Sequence, residues 1–312
     1  LGIRSKTIIS DKVIKSANKL LAIGAFCIGT NQIKFESCND SGIVVFNAPY
    51  SNTRSVVEIV IAQIINLMRK IVIKSNKMHS GVWRKDSLDS FEIRNKVIGI
   101  VGYGNIGSQL SVICEALGMK VLYYDIVDKL SIGNAKKCKS LNDLLKNSDI
   151  VSLHVDGKKS NTNLISDKEF SIMKEKSILV NYSRGNVVDI DSLIKNIKSK
   201  KLMGAALDVF PEEPSNNKEK FKSKVKGIEE IILSPHIGGS TMEAQKNIGS
   251  YVPDKIIDFI NSGNTSSSVN FPKLSLPEQS DSHRLIHIHK NQPGVMLKIN
   301  KIISEYNINT VS

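Results

Sequence analysis

The sequence predicts an α/β fold in which a doubly wound, mostly parallel sheet in the middle of the chain is inserted in a smaller α/β domain. Short β-branched segments such as 96–101, 120–124 and 177–181 alternate with segments of helical apolar spacing such as 106–117 and 189–198. Single helices between successive strands indicate parallel pairing, with helices on both faces of the sheet. At 312 residues the chain is long enough for two domains with separate cores.

The N-terminal flank carries a smaller strand–helix pattern of its own. Its predicted elements are a strand at 8–9, a helix over 11–18 and strands at 21–23 and 42–46. Ser55 and Glu58 have the spacing of a capping box, in which each side chain accepts a hydrogen bond from the other residue's backbone N–H. This spacing predicts a long helix from Ser55 toward Ile73.

The central part has short apolar, β-branched runs where strands are predicted and apolar residues at helical spacing between them. The predicted central elements are strands at 96–101, 120–124, 149–155, 177–181, 203–208 and 231–234, with helices over 106–117, 141–146 and 189–198. Gly118 is a suitable terminator for the first of these helices.

The C-terminal flank begins with a second long helix, predicted from Thr241. Because this helix and the one from Ser55 bracket the central sheet, we expect both to bridge the two domains. Residues 262–282 are rich in Ser, Asn and Pro, which is typical of a linker. Beyond them 284–289 alternates like a strand and 295–305 has helical spacing, too little for a complete domain. We expect a truncated third domain, and the initial Leu suggests that the N-terminus is missing as well.

Composition narrows the class of protein. The net charge of +13 raises the question of nucleic-acid binding, but only seven of the 43 basic residues are Arg and the lysines are scattered. We therefore favour a solvated basic surface without nucleic acid. The longest apolar run, 20–29, is too short to cross a bilayer, so no membrane segment is expected. Cys27, Cys38, Cys114 and Cys138 lie far apart, which fits a reducing cytoplasm and argues against a zinc site.

A glycine-rich turn follows the first central strand and opens the first central helix. Gly102, Gly104 and Gly107 form a G-x-G-x-x-G motif, and Asp125 lies 18 residues beyond Gly107. The three glycines allow a tight turn, a close approach to a pyrophosphate and close packing of the helix. Asp125 would accept hydrogen bonds from ribose hydroxyls and repel a 2′-phosphate, so the motif predicts a Rossmann site for NAD rather than NADP. The alternative is a tight turn that binds no ligand.

Three polar clusters follow predicted strands, at the edge where ligands bind in open α/β sheets. They are residues 181–185, 208–214 and 234–239, which contain Arg184, Glu213 and His236 respectively. Taken singly, these three are ordinary surface or turn residues. Together they supply an Arg for a substrate carboxylate, a His to remove a hydroxyl proton and a carboxylate to stabilise the imidazolium. We therefore predict that they carry out hydroxy-acid oxidation.

The strings GYGNIG, VNYSRGNVVD, ALDVFPEEP and SPHIGGST resemble the D-isomer-specific 2-hydroxyacid dehydrogenase family. The strings SNTRSVVE, FNAP and HIHKNQPGV resemble the branch of that family that acts on a phosphorylated hydroxy acid. The resemblance covers nearly the whole chain and implies a flavodoxin-like substrate domain around an inserted NAD domain. The implied boundaries are 1–51 and 239–265 for the substrate domain, 52–238 for the NAD domain, 266–282 for a linker and 283–312 for a partial ACT-like regulatory domain.

The resemblance assigns the catalytic roles to Arg184, Glu213 and His236, with Glu213 preferred to Glu212 because it directly precedes Pro214. It also implies a set of NAD contacts in the turns that follow the strands. These are Gly102, Gly104, Asn105, Ile106, Gly107, Asp125, Tyr182, Ser183, Arg184, Asp208, His236, Ile237, Gly238 and Gly239.

The resemblance further implies that Arg4, Lys6, Asn52 and Lys85 line the substrate pocket. A phosphorylated substrate needs a second cationic patch, which Arg4 and Lys6 could provide, although a solvated basic stretch is the alternative. The tail implies a site for the inhibitor serine at His289, Asn291 and Asn309. No metal site is predicted, since the pair His287 and His289 lacks a third ligand.

The leading hypothesis is NAD-dependent oxidation of 3-phospho-D-glycerate to 3-phosphohydroxypyruvate, the first step of L-serine biosynthesis, with His236 as general base. One alternative is another D-2-hydroxyacid dehydrogenase, acting as a reductase of glyoxylate, hydroxypyruvate or 2-oxoglutarate. Another is a non-catalytic, NAD-sensing binding protein. The resemblance also implies a homodimer or homotetramer.

Three residues depart from the family's pattern. Tyr182 replaces a small residue beside the nicotinamide site, which we expect it to crowd. Asp156 stands where a Pro commonly follows the His-Val pair. Pro253 lies inside a predicted helix, where it removes one backbone donor and favours a kink.

Overall fold

The structure, a computed structural model, describes residues 1–277 and 284–308 and shows two parallel sheets within them. The strands of the smaller sheet are β1 (Gly2–Ile3), β2 (Ala22–Ala25) and β3 (Val44–Phe46), connected by helices α1 (Asp11–Ser16) and α2 (Phe35–Asp40). Strand β2 is buried throughout. Its Ile23 packs in a cluster with Ile14 of α1 and Cys38 of α2, which explains why these short helices cover that face.

Helix α3 (Thr53–Arg69) leads from the small domain to the large one. Its apolar face, which includes Val56, Val60 and Ile64, packs in one cluster with strands of the large sheet. The helix ends because Lys70 takes the left-handed conformation, with φ 53°. A separate helix, α4 (Ile71–His79), follows at once.

The larger sheet forms the cofactor-binding half of the predicted architecture. Its strands in chain order are β4 (Val97–Val101), β5 (Lys120–Tyr124), β6 (Lys136–Lys137), β7 (Ile150–Leu153), β8 (Ser177–Asn181), β9 (Leu202–Leu207) and β10 (Ile231–Leu233). The helices among them are α5 (Asn105–Ala116), α6 (Leu141–Asn147), α7 (Asp167–Ile172) and α8 (Ile190–Lys198). All pairs are parallel, in the order β10-β9-β8-β7-β4-β5-β6. The order reverses between β4 and β7, and in open α/β sheets ligands bind outside the carboxyl ends of the strands at such a point.

Helix α9 (Met242–Ser262) returns the chain to the small domain. Thr241 caps it by accepting a hydrogen bond from the N–H of Ala244, at 3.1 Å. The helix continues through Pro253 as a single element. Its Val252 lies so close to β2 that a Cβ built on Gly24 would be 2.6 Å from Val252 Cγ1. This close packing seats α9 on the small sheet.

After α9 the chain runs along the edge of β3. The N–H of Val269 donates to the Val45 carbonyl at 2.9 Å, and Asn270 Oδ1 accepts from the N–H of Val45 at 2.8 Å. The contacts of the small domain therefore continue beyond residue 265. Helix α10 (Val295–Glu305) forms where helical spacing predicts it.

Two predicted strands are wrong. The first strand is β1, and residues 8–9 provide only an isolated bridge between Ile9 and Ile33. Ile8 is 74% exposed, so this apolar pair does not indicate a buried strand. Residues 284–289 form no strand, and the ACT-like piece is therefore not confirmed.

The predicted capping box is also wrong, because α3 begins two residues before Ser55. The Ser55 hydroxyl contacts Thr241 Oγ1 at 2.8 Å, and Glu58 pairs with Arg54 at 2.6 Å. The two long helices thus meet near their N-termini, as expected for elements that join the domains. No helix in the described ranges is long and apolar enough to span a bilayer.

Candidate active site

The glycine turn after β4 has the shape that a dinucleotide pyrophosphate requires. Gly102 has φ 93°, and a Cβ there would lie 2.4 Å from the His154 carbonyl oxygen. A Cβ on Gly107 would lie 2.2 Å from the Gly102 carbonyl oxygen, so only glycine allows α5 to start this close to the strand. A Cβ on Gly104 would meet nothing within 4 Å. The open side of the turn therefore fits a ligand that approaches the backbone, at the start of a helix.

Asp125 follows β5 and lies beside this turn. Its Oδ2 accepts a hydrogen bond from the N–H of Tyr103 at 2.7 Å, and its Oδ1 accepts from the N–H of Val127 at 2.8 Å. The carboxylate is thus held in place while each oxygen keeps a lone pair for a ribose hydroxyl. Asn105 and Ile106 form the first turn of α5, and their contact with NAD stays a prediction.

His236 and Glu213 form a direct pair. His236 Nδ1 lies 2.8 Å from Glu213 Oε2, with 51% and 33% of the two side chains exposed. Glu213 Oε1 accepts from the N–H of Phe210 at 3.1 Å, which fixes the carboxylate against its own loop. The structure thus brings together the predicted base and the predicted carboxylate, from loops after β10 and β9.

The pair shifts both pKa values in the directions that stabilise an ion pair. The hydrogen bond to Glu213 raises the pKa of His236, against burial of the ring and the nearby Arg184 charge. Burial of the Glu213 carboxylate favours its neutral form, but the hydrogen bond with His236, the imidazolium charge and the N–H of Phe210 hold its pKa below the usual range. A proton taken up by His236 is therefore stabilised where it arrives.

Arg184 follows β8 and reaches toward the small domain. Its Nη1 donates to the Ser183 carbonyl at 2.7 Å, and its Nη2 lies 3.3 Å from where a Cβ on Gly29 would be. The segment after β7 packs on the same side chain, since a Cβ on Gly157 would lie 3.2 Å from Arg184 Cγ. Asp156 supports that segment by accepting from the N–H of Lys158 and from Asn161 Nδ2, at 3.3 and 2.8 Å.

Asp208 orders the turn that carries His236. Its Oδ1 accepts from Ser234 Oγ at 2.6 Å and from the N–H of Ile237 at 2.9 Å, and its Oδ2 accepts from the N–H of Gly238 at 2.7 Å. The residue is 1% exposed. Its predicted contact with NAD stays a prediction, while its structural task is to hold the loop backbone.

The expectation that Tyr182 crowds the nicotinamide site is wrong. The residue is 6% exposed and belongs to the apolar cluster that contains Val56 and Val60 of α3. Its hydroxyl lies 3.0 Å from Ser234 Oγ. The ring therefore packs beneath the crevice, against the position of Gly238.

The predicted substrate residues of the N-terminal flank reach the site from the small domain. Arg4 Nη2 donates to Gln245 Oε1 at 2.9 Å. Lys6 Nζ donates to the carbonyls of Pro214 and Ser215 at 3.2 and 2.6 Å, on the loop that carries Glu213. The Lys6 amine is thus bound to that loop in this structure.

Asn52 lies beside the predicted site, whereas Lys85 does not. A Cβ on Gly239 would lie 2.0 Å from Asn52 Nδ2, so Asn52 abuts the His236 loop. Lys85 is exposed, and its chain neighbours Arg84 and Asp86 line a cavity of about 510 Å³ together with residues that precede β8, β9 and β10. That cavity is at the amino ends of the strands, so Lys85 is not brought to the crevice of its own chain.

Several residues that organise the site were not predicted. Gln245, the partner of Arg4, lies on the first turn of α9, and no local sequence signal marks this contact. Asn181 is fully buried and holds the turn before Arg184, with its Nδ2 on the Arg184 carbonyl at 3.0 Å. Ser234 links the side chains of Tyr182 and Asp208, which are far apart in sequence.

The predicted serine-binding residues lie in the C-terminal segment. His289 and Asn291 are exposed, and His289 Nδ1 lies 3.0 Å from His287 Nδ1. Asn309 lies outside the described residues. Residues 1–277 and 284–308 contain no group of three or more His, Cys, Asp or Glu side chains suited to a metal ion.

Comparison with known proteins agrees with this geometry. The family model described as D-isomer specific 2-hydroxyacid dehydrogenase, NAD binding domain, matches residues 61–238. The chain is 50% identical to D-3-phosphoglycerate dehydrogenase of Haemophilus influenzae over 309 residues, 99% of this chain and 75% of that protein. It is also 50% identical to the protein of that name from Dictyostelium discoideum over 308 residues, 99% of this chain and 76% of the relative.

Solved structures show the same architecture. D-2-hydroxyisocaproate dehydrogenase superposes with a TM-score of 0.79 at 26% identity, covering 86% of each chain. D-lactate dehydrogenase from Aquifex aeolicus, complexed with NAD and lactic acid, gives a TM-score of 0.77 at 26% identity, covering 87% of this chain and 86% of that one. The glycine turn, the Asp125 carboxylate and the family match together confirm NAD as the cofactor that the sequence predicts. The chain belongs to the D-isomer specific 2-hydroxyacid dehydrogenase family of NAD-dependent enzymes.

Proposed function

We propose that this protein oxidises 3-phospho-D-glycerate to 3-phosphohydroxypyruvate with NAD, the first step of L-serine biosynthesis. The observation that carries the proposal is 50% identity, over 99% of the chain, to proteins named D-3-phosphoglycerate dehydrogenase. The position of Arg4 supports it, because this cation reaches Gln245 at the start of the helix that follows the His236 loop. A phosphorylated substrate needs such a second cation, since its carboxylate occupies the first.

Each catalytic residue has a task that follows from its contacts. The planar guanidinium of Arg184 can bind the substrate carboxylate through two parallel hydrogen bonds. Nδ1 of His236 is engaged by Glu213, which leaves Nε2 to accept the proton of the substrate hydroxyl. Glu213 then stabilises the imidazolium that results. The chemistry that NAD supplies when bound is acceptance of the hydride.

The cofactor contacts follow from the same geometry. The backbone N–H groups of the turn from Gly102 to Gly107 would hold the pyrophosphate, and Asp125 would hold the adenosine ribose. The turns after β8 and β10, with Tyr182 to Arg184 and His236 to Gly239, would contact the nicotinamide side. Tyr182 would do so through its backbone, because its ring is buried. We retain the division into 1–51 with 239–265, 52–238, 266–282 and 283–312 as part of the proposal, with Val269 and Asn270 of the linker attached to β3 of the small domain.

Assembly, regulation and location complete the proposal. A homo-oligomer is supported by the exposed apolar side chains of Val82, Trp83 and Leu88, which are 49%, 77% and 63% exposed. A cytoplasmic location is supported by the free thiols of the four cysteines. Inhibition by serine is supported by the string HIHKNQPGV alone.

The substrate is tested by comparing 3-phospho-D-glycerate with D-glycerate and D-2-hydroxyglutarate, following NADH by absorbance. Arg4→Ala should lower kcat/KM for the phosphorylated substrate by about 10- to 150-fold, the loss expected for one charge-assisted hydrogen bond. The matched control is Arg54→Ala, because Arg54 pairs with Glu58 on the surface of α3. Equal turnover of phosphorylated and unphosphorylated substrates, or an Arg4→Ala variant that behaves like the control, would contradict the assignment.

A further inference from the structure

Tyr182 is the first member of a buried chain of hydrogen bonds that ends on the catalytic loop. Its hydroxyl lies 3.0 Å from Ser234 Oγ, which in turn lies 2.6 Å from Asp208 Oδ1. Tyr182, Ser234 and Asp208 are 6%, 9% and 1% exposed. Water therefore cannot easily replace any of these bonds.

The direction of the hydrogen bonds from Tyr182 to Asp208 follows from the carboxylate at the end of this series. Three donors converge on the Asp208 carboxylate, so it accepts the single proton of the Ser234 hydroxyl. The Ser234 oxygen can then only accept from Tyr182. Burial raises the pKa of Tyr182 to about 12, so the phenol keeps the proton that it donates. Each bond in such a chain polarises the next.

Asp208, at the far end of this series of hydrogen bonds, holds a strained turn. His236 has φ 53°, the left-handed region that costs a non-glycine residue of order 1 kcal/mol or more. The two residues after it, Ile237 and Gly238, donate their N–H groups to Asp208 at 2.9 and 2.7 Å. The fixed orientation of the Asp208 carboxylate maintains these two hydrogen bonds and therefore the turn at His236.

We propose that Tyr182 is a positioning residue, whose hydroxyl acts through Ser234 and Asp208 to keep the His236 ring on Glu213. This inference rests on the proposed role of His236 as the general base. It assigns to Tyr182 a task that requires its hydroxyl as well as its ring.

The test is the titration of the His236 ring, followed by NMR on the full chain labelled in its histidines and assigned with His236→Asn. Tyr182→Phe keeps the ring and removes only the hydroxyl. The charged groups that face His236 are Glu213, Asp208 and Arg184, and all remain in this variant. Since the hydrogen bond to Glu213 is the main cause of the raised pKa, a loosened turn should lower the pKa of His236.

The control is Tyr123→Phe, which removes another buried hydroxyl, bonded to the Lys129 carbonyl at 2.8 Å and to Ser131 at 2.9 Å. It should leave the His236 titration unchanged. Ser234→Ala breaks the same chain at its next member and should shift the titration like Tyr182→Phe, whereas Ser234→Thr should restore it.

Turnover gives a second readout. Tyr182→Phe should lower kcat by about 3- to 10-fold while KM changes little, since the substrate contacts are intact. If His236 titrates identically in wild type and Tyr182→Phe, the tyrosine only packs and the proposal is overturned. Because the NMR titration needs no substrate, this outcome is distinct from failure of the proposed function.

Discussion

Replacing Glu213 by Gln tests the pair at the centre of the site with the smallest change in shape. Glutamine keeps the size of the side chain but has one acceptor oxygen, which can serve either His236 Nδ1 or the N–H of Phe210, while its NH2 group faces the other. The negative charge and one of the two accepted hydrogen bonds are therefore lost. The variant removes the electrostatic stabilisation of the imidazolium while it preserves the shape of the side chain.

The size of the expected effect follows from the distance between His236 and Glu213 and from the exposure of their side chains. The two atoms are 2.8 Å apart, and the side chains are 51% and 33% exposed, so solvent screens the pair substantially. An effective dielectric constant of about 40 to 80 gives an attraction of about 1.5 to 3 kcal/mol. If this stabilisation is fully realised when the proton has moved, kcat falls by about 10- to 150-fold.

The assay is the pH dependence of kcat/KM for NADH formation from 3-phospho-D-glycerate. The base must be neutral to accept a proton, so activity is lost on the acidic side as His236 becomes protonated. Glu213 raises the pKa of His236 chiefly through its hydrogen bond. Glu213→Gln weakens that stabilisation of the protonated ring, and the acidic limb should move to lower pH.

The control is Glu212→Gln, the adjacent acid, which should leave both the rate and the acidic limb unchanged. Wild-type kcat in Glu213→Gln with an unmoved acidic limb would refute the role of the pair. An equal effect of Glu212→Gln would show that the change reports the general charge of the loop.

Other predictions concern the cofactor turn and the substrate carboxylate. Gly107→Ala places a methyl group 2.2 Å from a backbone oxygen of the turn and should lower the unfolding temperature. Gly104→Ala adds a methyl group that meets no protein atom within 4 Å, so this variant should fold normally and bind NAD more weakly in calorimetry. Equal unfolding temperatures for the two would contradict the packing argument. Asp125→Ala should weaken NAD binding by about 10- to 100-fold in the same assay; unchanged affinity would remove the ribose contact. Arg184→Lys keeps the charge but loses the bidentate geometry, and kcat/KM should fall by about 100-fold, so a variant with wild-type kcat/KM would exclude a bidentate contact.

The central sheet could be predicted from the sequence because its inner strands β4, β7, β8 and β9 are almost wholly buried and appear as short continuous apolar runs. Strand β8, for example, is buried throughout and has the predicted bounds 177–181. The glycine turn could be predicted because its steric requirements are local to β4 and α5. The strand-end rule placed Arg184, Glu213 and His236 at one edge, where the structure brings His236 and Glu213 into contact.

The features that could not be predicted depend on contacts between distant parts of the chain. Ser55 has the local spacing of a capping box, but its hydroxyl meets Thr241, 186 residues away. From the sequence, Tyr182 is expected to crowd the nicotinamide site. Only its packing against α3 shows that the ring turns into the core. Gln245 carries no local signal for its contact with Arg4, 241 residues away. Strand β1 was missed because it is two residues long.

The proposed function depends most directly on removal of the hydroxyl proton of 3-phospho-D-glycerate by His236. The most direct test is NADH formation from this substrate by the wild-type chain and by His236→Asn, with NAD affinity measured for both. We expect activity in the wild type, a loss of at least about 100-fold in the variant and unchanged NAD binding. A wild-type chain that binds NAD but forms no NADH, or a His236→Asn variant with undiminished turnover, would contradict this expectation.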